Sequence, residues 1–293
     1  MVKYRLIDFD KDESEVIRLL NQNLTPRNNK EFFQWKYINY PGGKSTGAVA
    51  EVDNKIVAVV FYLPFNFYRN GKIINAARPI SGCTAQDYRG RGIFKNIMKF
   101  CLESYKKDYK FLFANPNRFS HPEFMKMGWK EKTSYEYRVG IIFPWDTQNN
   151  LNLTSHSLPS ISKEIKISHE YYLSGGTTDM LKWRYSDKRY KIKKIQTTDG
   201  ENYIVFRLHK KASLKLIILC DYIGDENYIN AAIKEVCRIE RTCFIYFLKN
   251  EITAKINLLL SKRHKQAVIT YLEEEPEIIH NIGFSLGDLE GTI

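Results

Sequence analysis

The sequence has no apolar run that approaches the roughly 20 residues a helix needs to cross a bilayer. Its opening residues, Met1 to Asp8, lack the apolar core of a signal peptide. We therefore expect a globular, cytoplasmic protein that has no membrane as a partner.

Cysteine is scarce and carries no ligand pattern. The five cysteines are odd in number, and they form no Cys-x-x-Cys pair and no spacing with histidine. We therefore predict buried free thiols and no metal site. Cys83 alone has a possible functional position, because it lies on a strand-like run beside the proposed cofactor loop, but an ordinary place in the apolar core is the favoured interpretation.

Acidic residues are outnumbered, with 33 against 45 basic residues and a formal net charge of +12. Such a charge attracts nucleic acid, anionic lipid or phosphorylated small molecules. The basic residues are scattered, and the dense run at 188–194 has no helix-turn-helix or RNA-binding motif around it. We therefore expect an anionic small-molecule cofactor and no nucleic-acid partner. A DNA affinity that falls steeply with salt would reverse this ranking.

The length and composition favour two domains. With 293 residues, of which 43% are hydrophobic, the chain can bury one large core or two ordinary ones. Residues 146–163 are rich in Asn, Ser and Thr and include a proline, which is typical of a linker. We predict a first domain over 1–145, a linker over 146–163 and a second domain over 164–293.

The most informative stretch runs from Asp87 to Phe94. It follows a strand-like run that ends near Thr84, and it precedes a helical stripe of apolar residues, which are Phe94, Ile97, Met98, Cys101, Leu102 and Tyr105. Gly90 and Gly92 allow a tight turn, so that successive N–H groups can converge on an anion at the start of a helix. A generic strand-turn-helix is the alternative, because a Gly-x-Gly pair alone is a weak signal. In the phosphate-binding interpretation the contacts come from the N–H groups of 90–95 and the charges of two arginines, and the residues are Arg89, Gly90, Arg91, Gly92, Ile93, Phe94 and Lys95.

This stretch resembles the acyl-CoA signature of the GCN5-related N-acetyltransferase (GNAT) family. That signature is Arg or Gln, two residues, Gly, one residue, then Gly or Ala. Arg89 and Gly92 fit it, whereas Phe94 stands where the family usually has a small residue. Ser81 to Arg89 resembles the family's fourth strand and the loop that follows it.

The next segment resembles the family's second motif. An aromatic strand-like run, Tyr109 to Ala114, leads into Asn115-Pro116-Asn117 and a short helix that closes on Gly128-Trp129. Phe124 occupies the place of the family's tyrosine. The resemblance therefore implies that a usual general acid is absent.

The resemblance implies an α/β fold with a mixed sheet, the acyl-CoA N-acyltransferase (GNAT) fold, and acetyl-CoA as co-substrate. Backbone N–H groups around Cys83 and Thr84 would hold the thioester oxygen, with a bulge at Gly82 that exposes them. The pantetheine arm would run between 81–85 and 113–117. The channel would be completed by Asn115, Asn117 and Ser120.

A motif of the first half of the chain recurs in the second half. Phe32-x-x-Trp35-Lys36-Tyr37 recurs as Met180-x-x-Trp183-Arg184-Tyr185. We predict a strand over 213–221, a helix over 227–238 and a strand over 242–248 in this half. Where a repeat would need its phosphate loop, Asp221 to Glu226 offers one glycine and three carboxylates, which repel an anion. The halves are therefore predicted to be tandem GNAT-like domains, the second without a CoA loop. Coincidental Trp-x-Tyr triplets are the alternative.

The catalytic base is open between several groups. His121 titrates near neutrality as a residue type, but its place before a proline also suits an exposed helix start. Tyr135 is the second candidate, Glu136 and Tyr137 on the same strand are rivals, and a water chain would need no side chain at all. Trp35 and Tyr37 are candidates for acceptor binding and are equally suited to a core.

The predicted function is acyl-CoA-dependent N-acyl transfer, most simply acetyl transfer, by direct attack in a ternary complex. The overall pattern is similar to bacterial acetyltransferases that act on amino sugars or other small amines. A CoA-binding sensor or scaffold without turnover is the alternative. The second domain could form a homodimer interface, but no residue pattern commits to it.

Overall fold

The structure is a computed structural model of the full chain. It describes residues 1–24, 28–105, 108–143, 153–155, 171–174, 177–197, 200–212, 214–273 and 278–289. No helix within these ranges combines the length and the apolar character that a membrane-crossing helix needs.

The chain divides into two compact units that interleave along the sequence. Unit 1 consists of Met1–Asn66, Asn75–Lys130 and Thr270–Pro276, and unit 2 consists of Phe67–Ile74, Glu131–Ile269 and Glu277–Ile293. One boundary between the two units falls between Lys130 and Glu131. The sequence instead predicts a linker at 146–163, of which only Leu153–Ser155 is described, as a strand. The domain limits 1–145 and 164–293 stay a prediction.

Unit 1 is built on a sheet whose strand order is β1-β2-β3-β4-β5, followed by the end of β13. Its strands are β1 (Lys3–Leu6), β2 (Thr46–Val52), β3 (Lys55–Arg69), β4 (Lys72–Thr84), β5 (Phe111–Ala114) and the last residues of β13 (Leu260–Glu273). Its helices are α1 (Glu13–Asn23), α2 (Lys30–Phe33), α3 (Ile93–Glu103) and α4 (His121–Lys126), with a π-helical turn at Gln34–Ile38 after α2.

Unit 1 contains both antiparallel and parallel strand pairs. β1 pairs antiparallel with β2, and β2 with β3. β4 and β5 run parallel, through the pairs Ala76–Phe111 and Ala77–Leu112. Thr270–Glu273 then pairs antiparallel with β5. A parallel pair needs a crossover, and here the crossover is α3.

The core of unit 1 includes two clusters of buried side chains among the described residues. One contains the buried face of α3, with Ile97, Met98 and Cys101, together with Leu112 of β5. This confirms the predicted helical stripe, because residues three and four apart share one side of a helix. The other cluster contains Leu19 of α1 with Phe33, Tyr37 and Phe61. Both clusters bury aromatic and aliphatic side chains, which supply most of the driving force for folding.

The strands of unit 2 follow the order β13-β6-β12-β11-β10-β9-β7. Its strands are β6 (Lys130–Ile141), β7 (Leu153–Ser155), β8 (Tyr172–Leu173), β9 (Tyr190–Thr197), β10 (Gly200–Lys211), β11 (Leu214–Ile223), β12 (Phe244–Lys249), the first part of β13, and β14 (Ile282–Gly283). Its helices are α5 (Thr178–Arg184), α6 (Ile229–Glu240) and α7 (Leu286–Leu289).

The order of elements in unit 2 follows that of unit 1. A short helix, α5, leads into three antiparallel strands, β9 to β11. A 3-10 turn at Glu226–Tyr228 and helix α6 follow, and β12 then returns parallel to β11. Unit 1 has the same succession from α2 to β5, with a 3-10 turn at Gln86–Tyr88 before α3. The predicted strand-helix-strand in this half is therefore confirmed, with bounds shifted by one to two residues.

Candidate active site at the end of strand β4

The loop before α3 is built on two left-handed glycines. Gly90 and Gly92 have φ angles of +74° and +73°. A Cβ at either position would meet no atom within 4 Å, so glycine is required there by the backbone conformation and not by a lack of space. Gly92 is the N-cap of α3 and gives the helix no side-chain cap.

The backbone N–H groups of this loop have no partner among the described residues. Within the part of the chain that the structure describes, no amide from Gly90 to Lys95 donates a hydrogen bond to a protein acceptor. The first N–H groups of a helix lack intrahelical acceptors, and the helix dipole adds positive potential at the same end. The loop therefore offers a row of donors to an anion, as the sequence predicts.

The two arginines of the loop hold its shape. Arg89 donates from Nε to the carbonyl of Thr84 at 3.0 Å and from Nη2 to Oδ1 of Asn23 at 2.9 Å. Arg91 donates to the carbonyl of Asp87 at 2.8 Å. Arg89 thus ties the loop to the end of β4 and to α1. The direct phosphate contacts predicted for these two side chains stay a prediction.

Strands β4 and β5 part beside this loop. The parallel pairs recorded between them are at Ala76 and Ala77, after which β4 continues to Thr84 while β5 ends at Ala114. In this stretch Ser81 has a φ angle of +52°. The bulge that the sequence predicts at Gly82, the next residue, stays a prediction.

Gly82 leaves room for the ring of Phe94. A Cβ at Gly82 would lie 2.8 Å from the Phe94 ring. Phe94 also meets Phe124 edge to face, with ring centroids 6.4 Å apart. The bulky residue at the place of the family's small one is therefore matched by a glycine on the neighbouring strand.

Cys83 and Thr84, the last two residues of β4, are buried. Burial raises the pKa of the Cys83 thiol to about 12, so the thiol stays protonated and is a poor nucleophile. Thr84 is also buried, and its Oγ1 has no hydrogen-bond partner within the described residues. A buried hydroxyl without a partner is costly, and a bound polar ligand or a water would remove that cost.

The segment after β5 organises the start of α4. Oδ1 of Asn117 accepts from the N–H groups of Phe119 (2.9 Å) and Ser120 (3.0 Å), and Ser120 Oγ accepts from the Asn117 N–H at 3.1 Å. Two of the three predicted channel residues, Asn117 and Ser120, therefore bond to each other in a local turn. The third, Asn115, lies half-buried directly after β5. His121 is the first residue of α4 and is also half-buried.

Helix α4 offers no hydroxyl where the family has one. Phe124 is buried and meets the Trp129 ring at 4.6 Å between centroids. An aromatic ring without a polar group cannot protonate a leaving thiolate. That the protein lacks this general acid stays a prediction.

The two candidate acceptor-binding residues differ in exposure. Trp35 is half-buried, with its ring 5.3 Å from that of Phe32. Tyr37 is fully buried, stacks on Phe61 with centroids 3.9 Å apart, and donates its hydroxyl proton to Ser81 Oγ at 2.6 Å. Sequence reasoning missed this contact, because nothing in a single sequence relates position 37 to position 81.

The second candidate base belongs to unit 2. Tyr135 is buried there and donates its hydroxyl proton to the carbonyl of Ile282 at 2.8 Å. Burial and the nearby Glu251 carboxylate raise the pKa of Tyr135 above its usual range. A protonated, engaged hydroxyl is poorly suited to accept a proton, and we leave Tyr135 out of the catalytic group proposed below.

In unit 2 the loop after β11 is already satisfied by protein groups. Asp225 accepts from the Asn227 N–H at 2.9 Å, and its own N–H donates to Oδ1 of Asn202 at 2.5 Å. Gly224 packs closely on that same asparagine. This loop therefore lacks the open row of donors found in unit 1.

The end of β11 in unit 2 is covered by a buried ionic cluster. Arg184 pairs with Asp288 at 2.9 Å and with Asp221 at 3.4 Å, and Ser174 donates a hydrogen bond to Asp288. All four residues are buried. Buried charges need such partners, because each is costly to remove from water alone.

These features define a GNAT-type fold in which the loop at the end of the fourth strand has N–H groups without a partner among the described residues. A family model described as an acetyltransferase (GNAT) domain matches residues 3–131. Residues 3–131 are therefore similar to the acetyltransferase (GNAT) domain family. No curated protein matches the sequence.

Solved structures share the fold at low sequence identity. A GCN5-related N-acetyltransferase from Anabaena variabilis superposes with a TM-score of 0.72 and 14% identity, over 92% of this chain and 72% of that one. A probable N-acyltransferase from Enterococcus faecalis gives 0.72 and 13%, over 95% and 74%. Saccharomyces cerevisiae N-myristoyltransferase with bound myristoyl-CoA gives 0.56 and 13%, over 93% and 79%.

Proposed function

We propose that the protein is an acyl-CoA-dependent N-acyltransferase that moves an acetyl group to the amine of a small molecule such as an amino sugar. The observation that carries this proposal is the row of unpaired amides from Gly90 to Lys95 at the start of α3. A diphosphate is the ligand that such a row fits best, and the GNAT domain gives the row its context.

The described residues suit an acyl-CoA at three points. The diphosphate would accept from the loop amides. The pantetheine arm would lie where β4 and β5 part, near Asn115. The Thr84 hydroxyl, which has no partner within the described residues, lies at the end of β4, where a polar group of the arm would satisfy it.

The chemistry needs a neutral amine, a path for its proton and donors for the oxyanion that forms on the thioester carbonyl. Backbone N–H groups around Cys83 would supply the donors. In direct attack the amine nitrogen bonds to the carbonyl carbon, the carbon–sulfur bond breaks, and CoA leaves as the thiolate. His121 or a water takes the amine proton, and solvent protonates the thiolate because Phe124 has no hydroxyl.

Unit 2 is proposed to be a second GNAT-like fold that binds no CoA, which makes the chain a tandem protein. The support is its matching order of elements, its self-capped loop at Asp225, and the ionic cluster of Arg184, Asp221 and Asp288 at the end of its fourth-strand equivalent. A homodimer and a cytoplasmic location stay part of the proposal.

A second candidate function is CoA binding without turnover, as in a sensor or scaffold. Phe124 favours it, because a usual proton donor is missing from α4. The two functions predict the same affinity for acetyl-CoA and differ only in whether an acceptor amine releases free thiol.

The deciding experiment measures acetyl-CoA binding by calorimetry and thiol release with a chromogenic disulfide over a panel of amines, including amino sugars. We expect binding, and thiol release above hydrolysis with at least one amine. Binding with no amine-dependent release would favour the sensor. No binding of CoA or acetyl-CoA would overturn both functions.

A further inference from the structure

Ser81 has a backbone conformation that is unusual for a residue inside a strand. Its φ angle is +52° and it lies within β4. The other non-glycine residues with positive φ among those described lie in turns between strands or at a helix end, and they are Asp53, Asn54, Asn70, Ala212 and Arg241. The left-handed region is unfavourable for an L-residue, and such conformations persist where surrounding contacts enforce them, often at functional sites.

The side chain of Ser81 accepts a hydrogen bond from Tyr37. The hydroxyl of Tyr37 donates to Ser81 Oγ at 2.6 Å, and its ring stacks on Phe61 at 3.9 Å with an interplanar angle of 20°. Its carbonyl accepts from the N–H and the Oγ of Ser45, at 2.9 and 2.7 Å. Burial raises the pKa of Tyr37, so that its hydroxyl remains a donor. Tyr37 is therefore fixed at the ring, the backbone and the hydroxyl.

Tyr37 also lies on the π-helical turn Gln34–Ile38. Single π-helical turns are uncommon and occur frequently at functional sites. Both ends of the contact, the turn and the strand residue, thus depart from regular structure at the point where they meet.

The irregular residue lies where the thioester is expected. Ser81 is beyond the last recorded pair between β4 and β5, and it directly precedes the residues around Cys83 to which the proposed function assigns the oxyanion donors. An irregular residue in a strand turns the following backbone groups away from regular pairing.

We propose that Tyr37 is a positioning residue for acyl transfer: it holds Ser81 in the left-handed conformation and so directs the N–H groups that follow Ser81 at the thioester carbonyl. This inference rests on the proposed function. The sequence suggests acceptor binding as the role of Tyr37, and this inference gives it a different one.

Unit 2 supplies a matched control. Tyr185 donates its hydroxyl proton to Asp221 Oδ2 at 2.9 Å. Asp221 lies five residues before a 3-10 turn, as Ser81 does, and the pairing of β11 with β10 shifts register beside it. Tyr185 therefore makes the equivalent contact in a unit whose loop presents no open row of amides.

The test compares CoA with acetyl-CoA, because only the second has the carbonyl that the donors would bind. Dissociation constants for both are measured by calorimetry on the full chain and on Tyr37→Phe, Ser81→Gly, the double variant and Tyr185→Phe, together with kcat, KM and thermal unfolding. We expect Tyr37→Phe to weaken acetyl-CoA binding by about tenfold, the loss of roughly one hydrogen bond, with CoA binding unchanged. It should lower kcat more than it changes the acceptor's KM.

Glycine at 81 should remove the need for the tyrosine, because glycine adopts positive φ without support. The double variant is therefore expected to regain acetyl-CoA binding that Tyr37→Phe loses. Tyr185→Phe should lower only the unfolding temperature. If Tyr37→Phe does not fold, Ser81→Ala provides the same test, since it removes the acceptor of the hydrogen bond and leaves the strained φ.

Equal weakening of CoA and acetyl-CoA by Tyr37→Phe would overturn the inference, and so would a loss that persists in the double variant or one that Tyr185→Phe reproduces. These outcomes leave the proposed function intact, because the wild-type protein still binds and turns over acetyl-CoA. If the wild-type protein binds neither ligand, the proposed function fails and this inference fails with it.

Discussion

Removing a single backbone N–H from the loop is the sharpest perturbation that the site allows. Lys95 is the third residue of α3, its side chain is exposed, and its amide has no acceptor within the described residues. Proline is tolerated in the first turn of a helix. Lys95→Pro therefore deletes one anion donor together with the lysine charge, and Lys95→Ala deletes the charge alone.

The difference between these two variants isolates the amide. A hydrogen bond to a charged group contributes about 1.5–3 kcal/mol, which corresponds to roughly 10- to 150-fold in Kd. An exposed charge contributes about 1 kcal/mol at most, and salt screens it. We expect Lys95→Pro to bind CoA at least about tenfold more weakly than Lys95→Ala at physiological ionic strength.

The assay is calorimetric titration of CoA into each variant, with circular dichroism and thermal unfolding to show that α3 is retained. Equal Kd values for the two variants, with the fold intact, would refute the idea that the loop amides bind the diphosphate. A loss that both variants share relative to the wild-type protein, and that disappears at high salt, would assign that shared loss to the lysine charge.

Three further predictions concern other groups. His121→Gln should lower kcat by about 100-fold or more, without changing the Kd of acetyl-CoA, if the imidazole takes the amine proton; an unchanged kcat would assign that proton to water. Cys83 should resist alkylation in the folded protein below about pH 10, because burial raises its pKa to about 12; rapid labelling at that position near neutral pH, read by peptide mass spectrometry, would contradict this. Burial and the neighbouring Asp288 raise the pKa of Asp221, although Arg184 opposes them. The native state then binds more protons than the unfolded chain, so the unfolding free energy should fall as pH rises above the usual aspartate range. Asp221→Asn should flatten that dependence in urea titrations, and identical pH slopes in both proteins would count against it.

Local features of this chain could be predicted from its sequence. The stripe of Ile97, Met98 and Cys101 indicates the buried face of α3, because helical period and burial are linked directly. Gly90 and Gly92 indicate the loop, because positive φ favours glycine. The resemblance also indicated that Phe124 replaces a hydroxyl.

Features that depend on long-range contacts could not be predicted. Serine carries no signal for positive φ, so the sequence predicts neither the left-handed conformation of Ser81 nor its hydrogen bond from Tyr37. The hydrogen bonds from Arg89 to a carbonyl on β4 and to Asn23 also have no signal in the sequence. The pairing of Thr270–Glu273 with β5 joins segments far apart in sequence, and no local pattern reveals such a partner.

The most direct test of the account is an amide NMR titration of the isotope-labelled protein with CoA and, in parallel, with pantetheine, which lacks the diphosphate. We predict that the amide signals of 90–95 shift strongly with CoA and little with pantetheine, while signals at the ends of β4 and β5 shift with both. If CoA binds and the signals of 90–95 stay in place, the loop is not the diphosphate site and the account is contradicted.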